Sequence, residues 1–133
     1  MNAGAVALAV AVAWAAATVT GARAESLATT TAAHDYVLSC AGCHKLDGSG
    51  SARVPSLHDT GTVLARTGGR DYLLRVPGAA QAPLSDARLA AVLNYVLTEF
   101  GGAAPAPPFG AEEVAAARAT TLSDPRSVRA ALP

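Results

Sequence analysis

The stretch "SCAGCHKLDG", Ser39 to Gly48, holds both cysteines of a 133-residue chain and sets a histidine directly after the second. Cys40, Cys43 and His44 are the side chains best suited to chemistry, because sulfur and imidazole nitrogen both bind metals and thiols form covalent bonds readily. Several chemistries compete for them. A Cys40–Cys43 disulfide would close a very short loop, which constrains little of the unfolded chain and is usually strained. A thioredoxin-like redox pair needs a strand before it and a helix after it, whereas here a helical pattern precedes and a Gly/Ser loop follows. A structural zinc site wants four ligands, and His44, His34 and His58 lack the paired spacing of such sites.

A fourth chemistry employs all three residues together. In Cys-x-x-Cys-His the thiols add across the two vinyl groups of a haem as thioethers, and the adjacent histidine binds the iron from one face. Covalent attachment consumes both thiols and needs no others. The porphyrin would also give an apolar centre to a chain in which only 5% of residues are aromatic. Two weaker candidates recede beside it. "DGSGS" at 47–51 lacks the strand, spacing and lysine of a phosphate loop, and Ser56, His58 and Asp59 are sequence neighbours, which rarely assemble a hydrolytic triad.

The elements that must position the motif follow from pattern. Residues 1–24 form an apolar Ala/Val/Leu run closed by Ala22-Arg23-Ala24, and read as a signal peptide cut before Glu25, with a retained anchor as the alternative. Either way the rest of the chain is expected in the periplasm or otherwise exported. Residues 25–31 are a polar lead-in. "AAHDYVL" at 32–38 suits a short helix running into Cys40, with Tyr36 and Val37 as its bulky apolar residues. "KLDGSGSARVPSLHDTGT" reads as an extended loop through Thr62. "GGRDYLLRVPG" predicts a turn at Gly68-Gly69, a short helix through Arg75, and a stop at Pro77-Gly78.

The clearest helix is "LSDARLAAVLNYVLTEFGG". Ser85 suits its N-cap, Asp86 its first turn and Gly101 its stop. Leu89, Val92, Leu93, Val96, Leu97 and Phe100 recur at steps of three and four and form one apolar face for core packing. Residues 101–110 are a Pro/Ala-rich linker, and 111–133 form a helical tail. That tail either packs through Phe109, Val114 and Leu122 or stays mobile. "LSDARLAAVL" and "LSDPRSVRAAL" look alike locally, but this is too little for a repeat. Ten basic residues balance ten acidic ones, without the basic stripe that nucleic acid requires. Beyond the signal-like segment no apolar run is long enough to span a bilayer.

Residues 32–100 resemble a class I c-type cytochrome. The resemblance rests on a helix leading into Cys40-Ala41-Gly42-Cys43-His44, on "RVPSL" after the histidine, on the segment from "VPG" to "PLSD", and on the amphipathic last helix. It implies an all-α fold, a small cytochrome c-like helical domain wrapped around one covalently attached haem c. It further implies His44 as proximal iron ligand, Cys40 and Cys43 as anchors, Pro55 as acceptor of the histidine's ring proton, and Leu57 as a haem-packing residue. First and last helices should cross, bringing Tyr36 to the Leu93/Tyr95/Leu97 region. Single-electron transfer between redox proteins is the implied role, from a dehydrogenase donor to an oxidase or cytochrome acceptor, without catalysis.

One feature of the family has no counterpart. The methionine that usually supplies the sixth iron ligand is replaced in "GAAQAPLSD" by Ala82, and Met1 is the sole methionine. His58 is the first alternative distal ligand; His34, Gln81 beside a bound water or diatomic, the amine of Glu25, and an open or water-bound iron are the others. An open iron would make this a ligand sensor or a peroxidase-like protein. A small haem subunit, docked in a larger complex through 101–133, is a further alternative.

Overall fold

The computed structural model describes residues 28–105 and 107–133. The expected signal peptide, 1–24, lies outside the described residues. The chain divides into two compact units, 1–31 and 32–133. In the first, residues 28–31 are described and are helical, although composition marks them as part of a polar lead-in.

In the second unit the described residues form helices and turns with no strand, so the fold is all-α. Helix α1 covers 32–39 and buries Ala32, Asp35 and Tyr36, spaced three and four apart on one face. Val37 lies off that face and is 49% exposed, so only Tyr36 of the expected bulky pair enters the core. A short α2, Ala41–His44, follows at once.

The long loop is shorter than its composition suggests. It ends at Ser56, whose hydroxyl accepts the His58 backbone N–H at 3.2 Å and caps a 3₁₀ turn, Leu57–Asp59. Thr60 donates its hydroxyl to the Leu57 carbonyl at 2.6 Å and leads into α3, Thr60–Leu64. The Ser and Thr that cap these turns sit in a Gly/Ser-rich stretch, which disguises them as loop residues.

Helix α4, Gly69–Arg75, starts at Gly68-Gly69 as expected. Pro77 both ends it and opens α5, Pro77–Ala80, because a proline suits the first helical turn. Helix α6, Asp86–Glu99, is capped by Ser85 and buries Leu89, Ala90, Val92, Val96 and Leu97. The tail forms α7, Ala111–Arg118, and α8, Pro125–Ala131. Residues 101–133 belong to the same compact unit as 32–100. No described helix is long and apolar enough to cross a membrane.

Two apolar clusters share α6. Leu89 and Leu97 pack with Leu74, Ala82, Phe109 and Val114, so the tail is part of the core through Phe109 and Val114. Val92 and Val96 pack with Tyr36 of α1, flanked by Tyr95 and Phe100, whose rings lie 6.0 and 5.0 Å from that of Tyr36. A second tie fastens α1 to α6. The Arg88 guanidinium grips both oxygens of Asp35, which is 1% exposed.

The Arg88 hydrogen bond holds the Asp35 carboxyl below its ordinary value of 3.8, against the opposing effect of burial. The stability this contributes is complete above pH 3.8 and is lost as pH falls below it toward the carboxyl's folded value. Arg88→Met should lower the thermal unfolding temperature by more than Asp35→Leu/Arg88→Met does, because only the single change strands a buried carboxylate. Melting curves of the two variants followed by circular dichroism check the order.

Candidate haem site

The motif is positioned by the end of α1. Cys40 N–H donates to the Tyr36 carbonyl at 2.8 Å, and Cys43 and His44 N–H both donate to the Cys40 carbonyl, at 3.1 and 3.0 Å. The chain then reverses at Lys45, whose φ of 62° is unusual for a residue with a side chain. Tyr36 holds this turn, donating its hydroxyl to the Lys45 carbonyl at 2.6 Å. Burial, with the nearby Cys40, Tyr95 and Asp47, pushes the Tyr36 phenol up to about 12, so the donor keeps its proton at any ordinary pH.

The following loop supplies the acceptor for His44. Its Nδ1 lies 3.1 Å from the Pro55 carbonyl oxygen, so Nδ1–H donates and Nε2 keeps its lone pair. Gly50 makes this approach feasible. Its φ is 69°, and a Cβ there would come within 2.7 Å of the Pro55 oxygen. Backbone bonds from Gly50 N–H to His44, at 3.1 Å, and from Leu57 N–H to Gly48, at 2.8 Å, close the loop.

Burial pushes the His44 imidazole below its ordinary value, partly offset by the Pro55 bond, and favours the neutral form that ligates metals. Burial and then the Asp35 charge push the Cys40 thiol up. A redox-active dithiol relies on the opposite shift. The two sulfurs are not bonded to each other. Among the described residues no group of three or more His, Cys, Asp and Glu side chains converges as a zinc site would need.

Cys40, Cys43 and His44 all line one cavity of about 420 Å³. Its walls are chiefly apolar and include Pro55 and Leu57 from the loop, Leu73 of α4, Pro77 of α5 and Val76 between them, and Val92, Leu93 and Val96 from α6. Pro125, Arg126 and Arg129 of α8 and Arg53 of the loop also line it. His58 is not among the lining residues. Its ring stands edge-on to Phe100 with Nδ1 3.4 Å from the Phe100 carbonyl oxygen. His34 and Gln81 are exposed, and Ala82 is buried in the cluster around Leu89; none of the three lines the cavity.

Two known relatives match this chain, both called cytochrome c-552 and both from Thermus thermophilus. Each is 36% identical over 107 residues, spanning 63% of this chain and 82% or 72% of the relative. The chain belongs to the c-type cytochromes. No protein-family model and no solved structure matches it. The cofactor of this c-type cytochrome is covalently attached haem c, and the residues present fit it. Two unbonded thiols, a neutral imidazole with one nitrogen already committed, and a mainly apolar cavity meet in one place.

Sequence reasoning missed what the tail brings. Arg126 and Arg129 reach the cavity from α8, a helix that "SDPR" signals through an Asp cap and a Pro at its first position. "LSDAR" and "LSDPR" each open a helix, although Ser85 caps the first and Asp124 the second. Arg118, at the end of α7, donates to the carbonyls of Ala80, Ala82 and Leu84 and to the Asp86 carboxylate, at 2.7 to 3.0 Å. It thereby pins the segment in which the family usually carries its distal methionine. Arg118→Met removes all four bonds from a side chain only 22% exposed and should cost about 3 kcal/mol in urea unfolding. Proteolytic cleavage within 80–86 should accelerate in the same variant.

Proposed function

We propose that this c-type cytochrome is an exported, monohaem, class I carrier of single electrons, working between a periplasmic dehydrogenase and a later acceptor such as an oxidase or another cytochrome. The observation that carries the reading is the meeting of Cys40, Cys43 and His44 on one mainly apolar cavity, with His44 Nδ1 bonded to Pro55. Cys40 and Cys43 are the thioether anchors and His44 Nε2 is the proximal iron ligand. Pro55 orients the imidazole and raises its basicity, as partners of metal-bound histidines do. Leu57 packs on the ring. Export rests on the apolar segment 1–24 and its Ala-Arg-Ala close.

When bound, the haem supplies one-electron chemistry at its iron. The chain supplies the setting. The apolar walls keep water away, and the Tyr36 and Pro55 bonds fix the turn and the ligand. The balanced charge implies little long-range steering of partners.

A second reading, binding of a small ligand at the iron, is favoured by one observation. Apart from His44, no imidazole, thioether or primary amine lines the cavity among the described residues.

Coexpression with haem-attachment machinery tests both readings. The parent chain should carry covalent haem by mass, and Cys40→Ser/Cys43→Ser should carry none; covalent haem on the double variant would overturn the assignment of the anchors. A ferric high-spin spectrum with ready CO binding after reduction is expected for an open sixth position. A low-spin spectrum unmoved by CO would remove the ligand-binding reading and leave the carrier.

A further inference from the structure

Arg126 and Arg129 of α8, together with Arg53 of the loop, line the same cavity as the Cys-x-x-Cys-His motif. Arg53 and Arg126 are exposed and Arg129 is partly buried, so these cations stand where the cavity meets solvent. Elsewhere in the fold most arginines are matched. Arg70 pairs with Glu113 at 2.6 Å, Arg75 with Asp71 and Arg118 with Asp86 at 2.8 Å, and Arg88 with Asp35. At the cavity the matching is incomplete. Among the described residues neither Arg53 nor Arg126 forms an ion pair, while Arg129 pairs with Asp59 at 3.3 Å. Arg66 also lacks an ion pair, but it is not a lining residue and donates to the Leu132 carbonyl.

The helix that carries two of these cations is itself unusual. Asp124 caps it, accepting the Ser127 N–H at 3.1 Å, and Pro125 opens it, which explains why it is helical. Its placement is another matter, because α8 buries no side chain. Arg126 donates to the Arg53 carbonyl at 3.5 Å, a long contact. The neighbouring α7, in contrast, is anchored by the fully buried Val114 and by the bidentate Arg70–Glu113 pair. A helix held so lightly, presenting its arginines to a cavity, is suited to an occupant with an apolar body and anionic groups.

Haem c has that character, since it carries two propionate carboxylates. We infer that α8 is part of the haem site, with Arg126 and Arg129, and Arg53 beside them, receiving those carboxylates. The inference rests on the haem reading above. Guanidinium groups pair with carboxylates through two parallel N–H donors, so arginine suits the role better than lysine does by geometry, while lysine preserves the charge. The electrostatic consequence concerns the iron. Reduction adds an electron, so a cation close to the haem favours the reduced form, and α8 raises the midpoint potential.

Redox titration of the full chain with covalent haem attached tests this. Arg126→Gln/Arg129→Gln should shift the reduced-to-oxidised ratio at fixed potential about tenfold toward oxidised, which is about 59 mV lower for a one-electron couple. Arg126→Lys/Arg129→Lys should stay near the parent. Arg53→Gln should move the potential the same way without touching α8. Mass spectrometry and circular dichroism confirm attachment and helical content in each variant. A Gln pair with the parent's potential, or Gln and Lys pairs lowered equally, would overturn the inference. Absence of covalent haem from the parent chain would instead overturn the haem reading itself.

Discussion

The crossing of α1 and α6 governs the rest of the structure. Tyr36 lies at that crossing, packed on Val92 and Val96 and in mutual contact with the rings of Tyr95 and Phe100. The same side chain reaches past the crossing to hold the Lys45 carbonyl. One residue therefore joins the packing of two helices to the turn that follows the Cys-x-x-Cys-His motif. The Asp35–Arg88 pair adds a polar tie one residue away. An error in the crossing would be passed directly to Cys40, whose N–H is bonded to the Tyr36 carbonyl.

The tail closes the structure from the other side, and its two helices do so differently. Helix α7 is a core element, because Val114 is fully buried beside Leu89 and Leu97 and Arg118 fixes the segment before α6. Asn94 of α6 strengthens this side by bonding both backbone groups of Phe109. Helix α8 has little of that packing and meets the fold mainly through arginines and backbone carbonyls.

How much of this is legible in the sequence depends on the kind of interaction. Helix α6 is visible because its apolar residues recur every three or four positions, and the Cys-x-x-Cys-His group is visible because covalent chemistry demands a fixed local spacing. Pro55 is found through family resemblance, eleven residues from the histidine it faces. The 3₁₀ turn that leads into α3 is hidden because Ser56 and Thr60, which bound it, resemble loop residues. Arg118 is hidden for a deeper reason. Its partners are mostly backbone carbonyls more than thirty residues away, and carbonyls are the same in every residue. The arginines around the cavity share that invisibility, since only folding brings residue 53 beside residue 126.

The cavity has a consequence for how the protein matures. Walls this apolar, around about 420 Å³ open on one side, gain most when an apolar body lies between them. Haem c is such a body, so its attachment at Cys40 and Cys43 adds hydrophobic burial to a fold that already presents His44 to Pro55. The covalent step therefore also acts as a stabilising one.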